Sequence, residues 1–300
     1  MNEILQTLDG RSVLRMERRL AHPAEKVWRA ITEPSHLAAW FPSVVEIPEL
    51  AVGGKLRFVF GDGEGPTLDG EIAELDPPWI FGFTWGDDHL RIELRPDDGG
   101  RACVLVFTHV FDDTAGAASF ASGWDACLAA LDTSLRGETV SPGDPDAQDA
   151  RHEAFVDAFG LAEGTVEATG DGWRVRFERQ LVRPAATAWA ALVGGDDPEV
   201  GGVVPDGFTV TAFAAGAVTA VEPEVVLAYE WLADDGAAAV GEVRWELTTG
   251  TGQGARLIVT QTGPATLTAA RQTALVAWPT AIGRLAHTLT TTPNPRRPIS

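Results

Sequence analysis

The sequence predicts an α+β protein built as two tandem copies of one domain, each a curved antiparallel β-sheet wrapped around a long C-terminal α-helix. Three observations carry that prediction: an internal repeat, a succession of two-residue alternations separated by turn residues, and a change to a period of about 3.6 residues at the end of each repeat. The repeat opens without a gap. Leu14-Arg15-Met16-Glu17-Arg18-Arg19-Leu20, followed by Pro23-Ala24 and Trp28, returns as Val175-Arg176-Phe177-Glu178-Arg179-Gln180-Leu181, followed by Pro184-Ala185 and Trp189. Later blocks keep their order. Phe83-Thr84-Trp85 matches Tyr229-Glu230-Trp231, Arg91-Ile92-Glu93-Leu94 matches Arg244-Trp245-Glu246-Leu247, Leu105 to His109 matches Leu257 to Gln261, and Trp124 matches Trp278.

In the first copy, Leu14, Met16, Arg18 and Leu20 alternate with their neighbours as a half-buried strand does. Pro23 sits near the start of a helix, where a missing N–H costs nothing; Val27, Ala30 and Ile31 give that helix one apolar stripe, and Pro34 ends it. Strands follow at Leu56/Phe58/Phe60, Ile72 to Leu75, Phe81/Phe83/Trp85, Leu90/Ile92/Leu94 and Cys103/Leu105/Phe107. Gly61-Asp62-Gly63, Asp76-Pro77-Pro78, Gly86-Asp87-Asp88 and Asp97-Asp98-Gly99-Gly100 separate them as turns. From Ala115 to Leu135, Phe120, Trp124, Cys127, Leu128, Leu131 and Leu135 share one face of a long helix. With no second sheet to cover it, the concave face of the sheet is buried by closing on that helix, and a cavity between the two is expected.

The domains are expected at residues 1–137 and 165–292, joined by an acidic linker at 138–164. Within the linker, Ser141-Pro142-Gly143-Asp144-Pro145 leads into a short helix over 146–159 that packs on a domain through Phe155 and Phe159. The second copy diverges in three ways. It has Asp196-Asp197-Pro198 where the first has Trp40-Phe41-Pro42, a shorter hairpin around Gly216 than the Gly61 to Pro66 loop, and Pro279 in the closing helix where the first has Asp125. That proline should kink the axis. The first copy is therefore expected to keep a ligand pocket and the second to serve in packing or as a lid. The tail from Thr290 to Ser300 is expected to fray.

The element order, together with the run from Arg18 to Pro34, Leu37-Ala38-Ala39-Trp40-Phe41, Gly53-Gly54, Gly70-Glu71-Ile72, Asp76-Pro77 and Gly123-Trp124, resembles the START-like (SRPBCC) superfamily and its helix-grip fold. Within it, the branch named after the activator of the heat-shock protein 90 ATPase is the most similar. The resemblance covers nearly all of the first copy and, more weakly, the second. Related domains bind lipids, polyketides and other apolar compounds, so the resemblance implies a hydrophobic small molecule as ligand. The name of the branch implies a co-chaperone that stimulates a heat-shock protein 90 ATPase. In the eukaryotic activator, however, a different N-terminal domain precedes this one, and no residue here is singled out for chaperone contact.

Composition bounds the partners. The chain has 300 residues, 45% of them hydrophobic and 22% charged, which is enough apolar material for a core in each half. Its 43 acidic and 23 basic residues leave a formal charge of -20, a field that repels phosphate backbones and anionic headgroups, so neither nucleic acid nor a membrane is expected as a partner. No apolar run has the length of a membrane span, and Met1 to Gly10 lacks the basic and apolar regions of a signal peptide. Cys103 and Cys127 lie in apolar runs without a disulfide or zinc pattern, and a cytoplasmic protein is expected.

Groups suited to catalysis are sparse. His22, His152 and His287 read as surface residues, and neither His36 nor His89 has a metal-ligating partner at i+2 to i+4, so no metal is expected. His109 shares its strand face with Cys103, Leu105 and Phe107; a neutral imidazole there is the one candidate base, with Asp125 as a candidate partner. Cys127 reads as a buried, unreactive thiol. No nucleophile elbow, phosphate loop or dinucleotide fingerprint occurs, and no cofactor is expected. Aromatic residues remain: ten tryptophans and 13 phenylalanines against the single Tyr229. Trp40, Phe41, Phe58, Phe60, Trp85, Phe107, His109, Trp124 and Leu128 are the candidate lining of a pocket for a flat or greasy molecule. The function expected is non-catalytic binding of a hydrophobic small molecule. A polyketide-type cyclase, aromatase or hydrolase using His109 as base is the alternative.

Overall fold

A computed structural model describes residues 3–61, 66–233, 236, 238–252 and 254–293. Asp62 and Gly63 of the first expected turn, and the end of the tail, lie outside the described residues. The chain divides into two compact units, Met1–Gln148 and Asp149–Ser300.

The first unit runs β1 (Glu3–Leu8), β2 (Arg11–Leu20), α1 (Ala24–Thr32), α2 (Pro34–Leu37), β3 (Val44–Glu46), β4 (Lys55–Val59), β5 (Thr67–Asp76), β6 (Ile80–Trp85), β7 (Asp88–Asp97), β8 (Ala102–Phe111) and α3 (Ala117–Leu135). Its eight strands form one antiparallel sheet in the order β1-β2-β8-β7-β6-β5-β4-β3. The last strand returns to lie beside β2, so β8 sits centrally and α3, entering straight after it, crosses the concave face. Alternation places Cys103, Leu105, Phe107, His109 and Phe111 of β8 inward, all of them buried. The helix answers with Ala117, Ala121, Trp124, Leu128, Leu131 and Leu135, spaced to form one stripe. Burying each large apolar side chain in this layer is worth about 1.5–3 kcal/mol.

In the second unit, α4 (Pro145–Ala158) bridges the point of division and precedes β9 (Thr165–Ala168), β10 (Gly172–Gln180), α5 (Ala185–Val193), β11 (Ala214–Glu222), β12 (Val226–Leu232), β13 (Ala239–Thr249), β14 (Ala255–Pro264) and α6 (Thr268–Thr291). The sheet order is β11-β12-β13-β14-β10-β9. This is the first sheet without counterparts of β3 and β4. The hairpin expected around Gly216 does not form, because Gly216 lies inside β11. The segment before it carries Pro205 at the place that Arg57 holds in β4, and a proline has no N–H to give to the ladder. The repeat nevertheless persists there in the backbone. Gly53 N–H donates to Ile72 and Ile72 N–H to Gly54, and Gly201, Val218 and Gly202 make the same pair of bonds. Pro279 lies within α6 without ending it, and the helix runs on for three more turns to Thr291.

Two arginines at the start of the second domain are buried against α4. Arg179 Nη2 donates to both carboxylate oxygens of Glu153 at 2.7 Å, and Arg183 donates to Asp149 and to the Thr292 carbonyl. They are 4% and 1% exposed. His152, expected at the surface, is also buried, since the same face of α4 carries His152, Phe155 and Val156 inward.

Candidate functional site

Trp124 projects from the middle of α3 onto the sheet and meets four rings: Phe107 at 4.6 Å between centroids, Trp85 at 5.5 Å, Phe41 at 5.6 Å and His109 at 6.1 Å. Phe41 extends the set to Phe58 at 5.8 Å, and Trp85 extends it to Phe60 at 6.2 Å. Trp40 packs edge-on against Phe41 and hands its indole N–H to the Ala30 carbonyl, which ties the loop after α2 to α1. Leu128 lies one helical turn beyond Trp124 on the same stripe. The structure thus gathers the nine candidate residues on the sheet–helix layer of one unit. Most of these rings press on each other: Phe58, Phe107, His109 and Leu128 are at most 1% exposed, whereas Phe60 and Trp85 are part-exposed at the end of the set.

Sequence reasoning missed Phe83, Phe111 and Asp88. Phe83 touches Phe41, Phe58 and Phe81, and Phe111 lies 4.8 Å from His109. Both sit two residues from a candidate on the same strand, so alternation could have found them. Asp88 could not be found that way, because its contact depends on cross-strand register.

His109 has both ring nitrogens engaged. Trp124 Nε1–H donates to Nδ1 at 3.2 Å, and Nε2 lies 2.9 Å from Asp88 Oδ2. Because an indole nitrogen only donates, Nδ1 carries no proton and Nε2–H faces the carboxylate. The partner is therefore Asp88, reached across the β7–β8 pairing of Leu90 with His109, and not Asp125. Asp125 instead takes Arg18 from β2. Burial lowers the His109 pKa, against the opposing pull of Asp88. The imidazole is neutral, oriented, and without a free lone pair. Burial likewise pushes the Cys103 and Cys127 thiols up to about 11, which removes the thiolate a nucleophile needs. Among the described residues no cluster of His, Cys, Asp and Glu could hold a metal ion, and no helix is long and apolar enough to cross a membrane.

On the outer face of the sheet, opposite the rings, a groove of about 640 Å³ is lined by Glu46, Lys55, Arg57, Asp69, Glu71 and Thr84. Lys55 and Glu71 pair across it at 2.6 Å. Pro48, Leu56 and Gly70 complete its lining between these side chains.

Residues 21–136, spanning α1 to the end of α3, match the model of the family described as Activator of Hsp90 ATPase homolog 1-like protein. The match lies wholly within the first unit and covers most of it. Among solved structures, a conserved protein of unknown function from Enterococcus faecalis, EF2215, is 23% identical, with 52% of this chain and 91% of that one covered at a TM-score of 0.44. CalU16 from Micromonospora echinospora is 22% identical, with 52% and 95% covered at 0.44. CV1439 from Chromobacterium violaceum is 27% identical, with 40% and 95% covered at 0.35. No curated protein matches the chain.

The second unit repeats this arrangement with altered chemistry. Gln261 replaces His109 and accepts the indole N–H of Trp278 at 2.7 Å, as His109 does for Trp124. Gly241 replaces Asp88, so Gln261 Nε2 has no partner, and the nearby Trp245 Nε1 has none either. Both residues are sealed in the core at 0% and 1% exposure. Tyr229 donates to the Phe208 carbonyl at 2.9 Å, and burial raises its pKa.

Proposed function

We propose that the first unit is a non-catalytic binding module that holds a hydrophobic small molecule on the ring face between its sheet and α3, and that the second unit has turned to packing. The observation that carries this reading is the continuous aromatic face that ends in two part-exposed rings, Phe60 and Trp85. A flat guest entering there exchanges ring–ring contacts for ring–guest contacts of the same kind, each worth about 0.5–1.5 kcal/mol beyond area burial. The family of the first unit and the helix-grip fold of both support the reading. The engaged nitrogens of His109 favour binding over base catalysis. Two thiols in no disulfide fit work in the cytoplasm, and the repeat limits 1–137 and 165–292, with 138–164 between them, are the proposed functional division.

Titration of the protein with a neutral aromatic hydrocarbon such as fluorene, followed by tryptophan fluorescence, is expected to give saturable quenching that survives His109→Ala. Absence of saturation with apolar probes would remove the proposal. Turnover of a polyketide-like substrate that His109→Ala abolishes would replace it with the enzyme reading, and acceleration of a purified heat-shock protein 90 ATPase would replace it with the co-chaperone reading.

A further inference from the structure

The two copies treat one indole differently. In the second unit Trp231 Nε1–H donates to the Thr262 carbonyl at 2.7 Å. Its counterpart in the first unit, Trp85, has a buried Nε1 with no partner, although the repeat puts the Val110 carbonyl where Thr262 supplies one. The cause lies directly across each hairpin, where Trp231 faces Gly241 and Trp85 faces Asp88. A Cβ on Gly241 would stand 2.4 Å from Trp231 Nε1 and 2.0 Å from the Thr262 carbonyl oxygen, closer than real side chains tolerate. Any residue but glycine at this position therefore forbids the pose in which the tryptophan satisfies itself. Asp88 is such a residue, and its bond to His109 holds it in place. The first sheet keeps a donor that it cannot pair by itself, and a buried donor without an acceptor is destabilising until one arrives.

The Trp85 side chain is part-exposed, unlike the sealed Trp245 and Gln261 of the other unit, while its Nε1 is buried, so an acceptor reaches that N–H only on a guest that inserts among the rings. Phe41, Phe58, Phe60, His109 and Trp124 surround it at centroid distances of 5.5 to 6.3 Å, so an acceptor delivered to its N–H is carried by something flat and apolar. An anion is disfavoured there. The adjacent Asp88 carboxylate repels it, and Arg11, a cation 3.9 Å from Asp88, is already paired with Asp112 at 2.6 Å.

We propose that Trp85 is the polar anchor of the first unit, donating its indole N–H to a neutral carbonyl oxygen on a flat, apolar guest. This rests on the reading that the ring face binds such a guest. Fluorene and 9-fluorenone are a suitable pair of probes, since they share a tricyclic frame and only the ketone offers a carbonyl. Equilibrium dialysis of the full chain is expected to show 9-fluorenone bound about tenfold more tightly than fluorene. The preference disappears in Trp85→Phe, which keeps a ring and removes the donor. In ¹⁵N-labelled protein the Trp85 indole peak, assigned by its loss in that variant or in Trp85→Tyr, moves on addition of 9-fluorenone and stays with fluorene. Equal binding of the two probes with an unmoved indole peak overturns the anchor and leaves the ring-face reading standing. Failure of both probes to bind overturns the two together.

Discussion

His109 and Gln261 hold one position of the repeat and serve the same neighbour, since each accepts the indole N–H of the closing helix. Only the histidine titrates. Burial, the largest influence on it, lowers its pKa from 6.5 in the folded state, so below pH 6.5 the unfolded chain binds the extra proton more readily. The stability of the first unit therefore falls as pH drops from 6.5 towards the folded value, and His22, lowered mainly by its own burial, acts in the same direction. His109→Gln, which borrows the solution of the second copy, is expected to flatten the decline in urea midpoint between pH 7 and 5; an unchanged slope would locate the acid sensitivity elsewhere. The histidine itself is legible in the alternation from Cys103 to Phe111. Asp88 is not, because its contact with His109 exists only once β7 and β8 adopt one register out of several that their sequences allow.

The central strands and both closing helices can be read from periodicity because their inward residues are uniformly large and apolar. The edges cannot. β1 and β3 are short or exposed on both faces, and their sequences carry no pattern that burial would impose. The loss of β4 from the second copy follows from a proline, Pro205, whose effect on pairing is visible only beside the intact copy. Two substitutions test how these elements are held. Pro279→Ala, by restoring an N–H that can reach the Leu275 carbonyl, is expected to stabilise the second unit by about 1–3 kcal/mol in chemical unfolding. Gly241→Ala drives a methyl group into the Thr262 carbonyl and the Trp231 indole, and is expected to cost about 1–3 kcal/mol in the same assay. A neutral result for the alanine at 241 would mean that Trp231 has another stable pose.

The proposed division of roles between the units can be tested on the full chain. Hydrogen exchange read by mass spectrometry is expected to slow in β6, β8 and α3 when 9-fluorenone is added, and to stay unchanged in β12, β14 and α6; equal protection of both would assign a guest to each. The duplication is plain in the sequence, yet the contribution of α4 to the second domain is not, because Glu153 and Asp149 lie outside the repeated blocks and meet Arg179 and Arg183 only in three dimensions. In the first copy the matching Arg18 finds its acid, Asp125, on the closing helix, a place that Pro279 takes in the second. A fragment cut at residue 165 would thus lose both acids and the helix that covers the two guanidinium groups, and is expected to unfold at lower urea than one that keeps α4. What once merely connected the duplicates has become a component of the later one, so the seam that the repeat suggests runs between two charges and their partners.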